Sequence, residues 1–75
     1  MKELLEILAK SLVDDPDSVK ITEITGEQSI ILELKVAPED MGKVIGKQGR
    51  IAKAIRTVVK AAAIKENKRV VVEIV

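Results

Sequence analysis

The 75 residues of this chain include no cysteine, no histidine and no phenylalanine, tyrosine or tryptophan. Without cysteine there is no disulfide, and without cysteine or histidine the usual zinc sites cannot be built. A serine nucleophile would lack the histidine that normally activates it, and few side chains titrate near neutral pH, which counts against general acid–base chemistry. We therefore expect no enzyme, no metal site and no cofactor.

The missing aromatic side chains also bear on nucleic-acid binding. RNA recognition motifs and many OB-folds stack bases on exposed aromatic rings, so both classes are disfavoured here. A nucleic-acid binder with this composition must contact bases in another way.

Long apolar runs are missing too, and none approaches the ~20 residues that cross a bilayer. Residues 1–10 carry acids inside their apolar pattern and have no small-residue cleavage site, which predicts an amphipathic helix rather than a signal peptide. We expect a cytoplasmic protein with no membrane contact. The length predicts one domain, residues 1–75, with a thin core.

The net charge of +1 conceals a strong asymmetry along the chain. Residues 1–40 hold four basic and ten acidic side chains, whereas residues 41–75 hold nine basic and two acidic ones. Six basic residues and no acid lie between Lys43 and Lys60. Such a block indicates a polyanionic partner better than net charge does, although a merely solvated basic helix face is an equal alternative on charge alone.

The first half of the chain is typical of a helix followed by a β-hairpin. The helix covers 2–13 and ends at Asp14-Asp15-Pro16. A strand over 18–25 follows, and its alternation slips at Glu23–Ile24, which marks either a bulge or the strand's end. Gly26–Glu27 is the predicted turn, because glycine tolerates positive φ, and the second strand covers 29–36. The helix presents one apolar stripe: Leu4, Leu5, Leu8 and Leu12.

The second half predicts two helices and a final strand. Pro38 opens a short helix that ends at Gly46, a longer helix runs to about Lys65, and the strand covers 70–74. The order α-β-β-α-α-β implies a parallel crossover after an antiparallel hairpin. We therefore predict an α+β fold with a mixed three-stranded sheet covered on one face by helices. The core face of the longer helix is expected to carry Ile51, Ala54, Ile55, Val58 and Ala62.

The most informative segment joins the two helices and reads Gly46-Lys47-Gln48-Gly49. Gly46 is expected to supply a left-handed helix cap, and Gly49 to leave the N–H groups of the next helix free for a phosphate. Lys47 adds a positive charge at the tip, and Gln48 adds a hydrogen-bonding group. Basic side chains then follow on one stripe of the helix: Arg50, Lys53, Arg56 and Lys60.

Two better-known phosphate loops do not fit this segment. A P-loop needs four residues between its glycines and a Ser or Thr after its lysine, whereas three residues separate Gly42 from Gly46 and Gln48 follows Lys47. The dinucleotide fingerprint needs a Gly-x-Gly after a strand, which this chain lacks. Nucleotide hydrolysis and a Rossmann cofactor site are therefore not expected.

The stretch from Val44 to Ile51 resembles the KH-domain signature, in which two glycines flank two variable residues between helices. The predicted element order resembles the type II arrangement of bacterial KH domains. Residues 36–59 as a whole are similar to small stand-alone bacterial RNA-binding proteins of the KhpA type, and the likeness covers essentially the whole chain. A bare Gly-x-x-Gly is a weak signal, but the flanking aliphatic residues, the basic helix and the element order make this one specific.

This resemblance implies single-stranded RNA binding without catalysis. KH domains hold about four nucleotides in a groove, with the glycine loop clamping the backbone. The clamp falls on Gly46 and Gly49, and the variable positions on Lys47 and Gln48. Charge and spacing predict further basic contacts to the RNA: Lys43, Arg50 and Lys53. The apolar floor of the groove is expected to consist of Val44, Ile45 and Ile51, with either Leu34 or Val36.

The resemblance also implies partners beyond RNA. A KhpA-type protein is expected to pair with a second copy of itself or with a larger KH-containing protein. Its expected role is that of an RNA chaperone or a post-transcriptional or ribosome-associated regulator.

Two other functions are compatible with the sequence. The chain could be a protein-interaction or dimerisation module whose loop does not bind RNA, with Ile31 and Val71 on the far sheet face as a dimer surface. It could instead be a nuclease that holds a divalent metal at Asp14, Asp15 and Asp17, although an acidic turn after a helix explains these residues more simply.

Overall fold

The predicted element order is the order of the folded chain. A computed structural model describes all residues, 1–75. Short 3₁₀ turns at Pro16–Ser18 and Pro38–Asp40 precede β1 and α2, and each begins with a proline whose fixed φ suits a helical first turn. The regular elements are α1 (Lys2–Leu12), β1 (Lys20–Thr25), β2 (Ser29–Lys35), α2 (Met41–Ile45), α3 (Arg50–Lys65) and β3 (Arg69–Ile74).

The three strands form the predicted mixed sheet in the order β1-β2-β3. β1 runs antiparallel to β2, and β3 runs parallel to it through the α2–α3 crossover. The pairing of β1 with β2 is unbroken from Lys20 to Thr25, so the phase slip at Glu23–Ile24 is neither a bulge nor a strand end. The slip arises because Glu23 lies at the exposed edge of the helix-covered face, while Ile24 pairs with Ile31 on the open face.

The hairpin turn lies where it was predicted, although for a different reason. Gly26 closes it by donating its N–H to the carbonyl of Ser29 at 2.7 Å. Gly26 is not one of the residues with positive φ, so the expected left-handed freedom is not used there.

The core lies between the sheet and the helices and is aliphatic throughout. The central strand β2 buries Leu32 and Leu34 completely, as its two-residue alternation requires. The leucine stripe of α1 packs here as predicted, with Leu5 fully buried and its neighbours partly so. The remaining buried side chains of this cluster are Ala9, Ile30, Val36, Val44, Ile55, Val59, Ala63, Val70 and Val72.

The buried face of α3 differs from the prediction by about one residue. Ile55 is buried as expected, but Val58 is 44% exposed and its neighbour Val59 fills the core instead. Ala54 is exposed as well, and Ile51 and Ala62 are only half-buried. The helix is apolar over a wide arc, so packing against β3 rather than periodicity selects the face.

The opposite face of the sheet is uncovered. There Ile24, Ile31 and Val71 occupy matching register positions and form one apolar row across all three strands. None of the three helices has the length and apolarity that crossing a membrane requires.

Candidate nucleic-acid interface

Gly46 ends α2 in a conformation that only glycine adopts readily. Its φ of 76° and ψ of 173° lie outside the left-handed helical region, so the expected left-handed cap is not at this residue. Its N–H still closes the helix by donating to the carbonyl of Gly42 at 2.8 Å. A Cβ at Gly46 would lie 2.5 Å from Cγ1 of Ile51, so the position is closed by packing as well as by backbone conformation.

Within the loop, the residues with left-handed helical backbone are Gln48 and Gly49. Gln48 has φ 58° and ψ 26°, and Gly49 has φ 73° and ψ 14°. Together they turn the chain within one 3₁₀ turn, which the Gly49 N–H closes by donating to the Gly46 carbonyl at 3.1 Å. This turn places Lys47 and Gln48 at an exposed tip.

Gly49 leaves the start of α3 open. No atom lies within 4 Å of where its Cβ would be, and no side chain caps the helix. The first N–H groups of a helix lack intrahelical partners, and their dipoles favour an anion at that end. α3 is 16 residues long, and Arg50, at its first position, is exposed. The geometry is therefore that of an open, positively polarised helix end beside a cationic loop tip.

Lys43 is not among the basic side chains at the loop tip and the start of α3. Its Nζ pairs with the carboxylate of Asp14 and lies 3.5 Å from Oδ1 of Asp40. The hydrogen bond to Asp14 is the main reason that the pKa of Lys43 is raised, and the charge of Asp40 adds to it against the cost of partial burial. Lys43 thus ties α2 to the turn after α1, a contact between residues distant in sequence.

Asp40 is the centre of that tie, and the sequence reasoning missed it. The acid is only 2% exposed and does not cap its own helix. Its carboxylate instead accepts hydrogen bonds from the backbone N–H groups of Asp14 (3.2 Å) and Asp15 (3.0 Å). Burial raises the pKa of Asp40, but these two hydrogen bonds and Lys43 outweigh burial and hold that pKa below its ordinary value. A sequence offers no signal for this role, because Glu39-Asp40 also suits a helix start.

The acidic turn after α1 is explained by the same contacts. Asp14 and Asp15 donate their N–H groups to Asp40, and the Asp15 carboxylate accepts a hydrogen bond from Ser18 at 2.6 Å. No group of three or more acidic side chains is placed to hold a metal ion.

The basic side chains on the stripe of α3 differ in their contacts. Lys53 and Lys60 are exposed and form no ion pair, whereas the Nε of Arg56 donates to the carbonyl of Val72 at 3.2 Å. Along a strand, the backbone N–H and carbonyl groups of successive residues point to opposite sides. The N–H groups of Arg69 and Val75 donate to β2, so the carbonyl of Val72 points to the other side, the outer edge of β3. Arg56 therefore fastens α3 to the free edge of the sheet.

The expected apolar floor is only partly at the surface. Ile45 is 37% exposed and Ile51 is half-buried beneath Gly46. Val44 has no exposed surface, and Leu34 and Val36 lie in the core, so these three side chains support the site from below and offer no surface to a base. The sequence shows that these three residues are apolar but does not show whether they lie in the core or at the surface.

Comparison with known proteins places this geometry in a family. The family model described as "KhpA/KhpB, KH domain" matches residues 2–74. The RNA-binding protein KhpA of Clostridium acetobutylicum is 84% identical over 75 residues, covering all of both chains. The protein of the same name from Aquifex aeolicus is 54% identical over 99% of this chain and 94% of its own, and that from Chlamydia pneumoniae is 51% identical over 99% and 95%.

Solved structures agree on the fold. The chain superimposes on Aquifex aeolicus Era with a TM-score of 0.70 at 19% identity, covering 97% of this chain and 28% of Era. Era in complex with MgGDPNP and nucleotides 1506–1542 of 16S ribosomal RNA gives 0.66 at the same identity and coverage. The match spans little more than a quarter of Era and identifies the KH-like fold alone.

The full-length identity and the family match confirm the resemblance found in the sequence, and the family is a non-catalytic one, as expected. The chain belongs to the KhpA/KhpB family of KH-domain proteins.

Proposed function

We propose that the protein binds single-stranded RNA and that the loop Gly46–Gly49 holds the RNA backbone. The observation that carries this proposal is the contrast between the two glycines. Gly46 is closed by Ile51 and fixes the turn, whereas Gly49 is open and leaves the start of α3 bare beside Lys47. Backbone N–H groups at a helix start and a nearby cation are a suitable site for a phosphate.

Phosphate and base contacts fall on different residues in this proposal. Lys47, Arg50 and Lys53 contact phosphates, with Gln48 donating to phosphate or sugar. Ile45 and Ile51 offer aliphatic surface to the bases. Phosphate contacts position a strand without reading its sequence, so base preference is slight and affinity falls as salt rises. Lys43 supports α2 and contributes to RNA binding only through that support.

A second KH domain completes the proposed working unit. The family description names KhpA and KhpB together, and the curated relatives are named RNA-binding proteins. Pairing with a second copy or with a larger KH-containing protein would raise avidity without new contacts at the loop. We place the pair in the cytoplasm as an RNA chaperone or a post-transcriptional or ribosome-associated regulator.

The competing function is a protein-interaction module whose loop is inert. The uncovered row formed by Ile24, Ile31 and Val71 favours that alternative, because an apolar row on an open sheet face suits a protein partner. The two functions differ in what the charge of the loop tip does.

The test reverses that charge. In Lys47→Asp with Gln48→Asp both glycines remain, and aspartate tolerates the left-handed backbone of position 48. Lys2→Asp with Ser11→Asp changes the net charge equally at two exposed positions of α1 and serves as the control. By fluorescence anisotropy at low salt, the loop variant is expected to lose binding to short single-stranded RNA, while the control keeps it. Equal binding by all three folded proteins would reject the loop and favour the interaction module.

A further inference from the structure

A second cationic cleft lies at the far end of α3 from the glycine loop. It has a volume of about 510 Å³, within the range of small-ligand sites. We call it the distal cleft. Its lining residues come from the β1–β2 hairpin, the end of α3 and the start of β3: Gln28, Ser29, Ile64, Asn67, Lys68 and Arg69.

The charge of the residues that line the distal cleft favours an anion. It offers two cations and three polar side chains, and no carboxylate. Neither Lys68 nor Arg69 takes part in any ion pair of the chain. A cleft of about 500 Å³ elsewhere on the molecule provides the comparison, because there Lys20 and Lys35 are accompanied by three acids, Asp15, Asp17 and Glu39. Of these two clefts, the distal one alone carries unopposed positive charge.

The walls of the distal cleft are fixed by backbone hydrogen bonds. Asn67 adopts φ 58°, and its N–H donates to the carbonyl of Ile64 while that of Lys68 donates to Ala63, both at 3.0 Å. This is the Schellman ending of a helix, with asparagine in the left-handed position. Two of the carbonyls at this helix end, those of Ala63 and Ile64, therefore already accept hydrogen bonds. The N–H of Arg69 donates to the Gln28 carbonyl at 3.0 Å and joins the wall to the hairpin.

A smaller cleft extends the distal cleft along α3 in the direction of the glycine loop, as far as Lys60. This cleft of about 270 Å³ shares Ile64, Lys68 and Arg69 with the distal cleft and adds Lys60 and Val70, so it lies between α3 and β3. The 16 residues of α3 span about 24 Å at 1.5 Å per residue. Exposed basic side chains occur along α3 and at the start of β3, from the loop to the cleft: Arg50, Lys53, Lys60, Lys68 and Arg69.

We propose that the distal cleft binds a backbone phosphate of the same RNA strand, beyond the roughly four nucleotides that the glycine loop holds. The proposal rests on the proposed function and extends its footprint along α3. Ile64, which is 75% exposed, offers the adjoining nucleotide an aliphatic surface. Only a strand long enough to span α3 can occupy both sites, so the contribution of the cleft depends on RNA length.

The experiment compares oligouridylates of about four and about twelve nucleotides, the shorter matching the loop footprint alone. The variant Lys68→Gln with Arg69→Gln is expected to bind the short strand like wild type and to lose several-fold in affinity for the long one. With two phosphate contacts removed, the slope of log K against log salt for the long strand should become shallower by about 1.4. The matched control, Lys20→Gln with Lys35→Gln, removes the same charge from the mixed cleft and should retain wild-type affinity for both strands.

The outcomes distinguish a failure of the distal cleft from a failure of the proposed RNA-binding function of the loop. Unchanged long-strand affinity in Lys68→Gln with Arg69→Gln, or an equal loss in the control, would overturn the distal cleft while leaving the loop untouched. Failure of wild type to bind the short strand would overturn the proposed function instead. Amide chemical shifts of residues 67–69 test the ligand itself. They should move with the long strand and not with uridine 5′-monophosphate, and equal movement with both would assign the cleft to a free nucleotide and reject the proposal.

Discussion

Replacing Gly46 by alanine should destabilise the fold far more than replacing Gly49 by alanine, although both residues have positive φ. At Gly49 the new methyl group meets no atom within 4 Å, so the cost is that of a left-handed alanine. At Gly46 the methyl group would lie 2.5 Å from Cγ1 and 2.8 Å from Cβ of Ile51, and the backbone conformation is one that non-glycine residues avoid.

The magnitudes follow from these two environments. A left-handed alanine costs about 1–2 kcal/mol, which is the expected effect of Gly49→Ala. Gly46→Ala adds about 1–3 kcal/mol of backbone strain to about 1–3 kcal/mol of overpacking, or about 2–6 kcal/mol in total. A domain of this length has a stability of roughly 4–11 kcal/mol. Gly46→Ala therefore removes a large share of it, whereas Gly49→Ala lowers Tm by about 4–16 °C.

Equilibrium urea unfolding followed by far-ultraviolet circular dichroism measures both variants, with the slope on denaturant as a check on two-state behaviour. The same substitution in an Ile51→Ala background isolates the packing part, because Cγ1 and Cδ1 of residue 51 are then gone while its Cβ remains. Gly46→Ala should cost less in that background than in wild type. Equal losses at the two glycines, or no coupling with Ile51, would refute the argument that Ile51 closes position 46.

Two further predictions concern the contacts around the site. The pKa of Asp40 is held below its ordinary value of 3.8 in the folded state, so its contribution to stability is full above about pH 4 and disappears as the pH falls through the lowered pKa. Thermal melts between neutral pH and pH 2 should therefore show Asp40→Asn less stable than wild type at neutral pH, with the difference shrinking in acid; a constant difference would contradict the assignment. Arg56→Gln should lose the hydrogen bond to the Val72 carbonyl and about 0.5–1.5 kcal/mol of stability, while reducing RNA affinity less than Lys53→Gln does. The reverse ranking in a binding titration would place Arg56 on the RNA instead of on the sheet edge.

The sequence was sufficient for the topology and for the position of the loop. The topology is encoded by local features, and the fold has the elements that they predict. These features are the strand and helix periodicities, the prolines before β1 and α2, and the pair Gly46 and Gly49. The sequence did not predict which face of α3 is buried, because adjacent Val58 and Val59 make two helical phases equally apolar. Packing against β3 decides between them, and that information is not local.

For the charged residues, too, the sequence reveals local features but not contacts between distant positions. Lys43 and Arg56 carry the charge and spacing expected of RNA contacts, yet their partners lie 29 positions away at Asp14 and 16 positions away at Val72. Charge patterning finds cations but cannot tell which of them are already engaged. Lys47, Arg50 and Lys53 remain predicted contacts, and Lys68 and Arg69 became candidates only when folding brought them to the hairpin.

The parallel pairing of β2 with β3 has a consequence for how the chain acquires its structure. Each residue of β2 pairs with a residue 40 positions further along, as Ile30 does with Val70, whereas β1 and β2 meet across one short turn. The hairpin can close early, but Leu32 and Leu34 stay without their second neighbour until β3 has been synthesised. Such non-local closure slows folding, and it leaves an aliphatic strand edge open in the meantime. A nascent chain is therefore most exposed to aggregation, and to chaperones, between the emergence of α2 and that of β3.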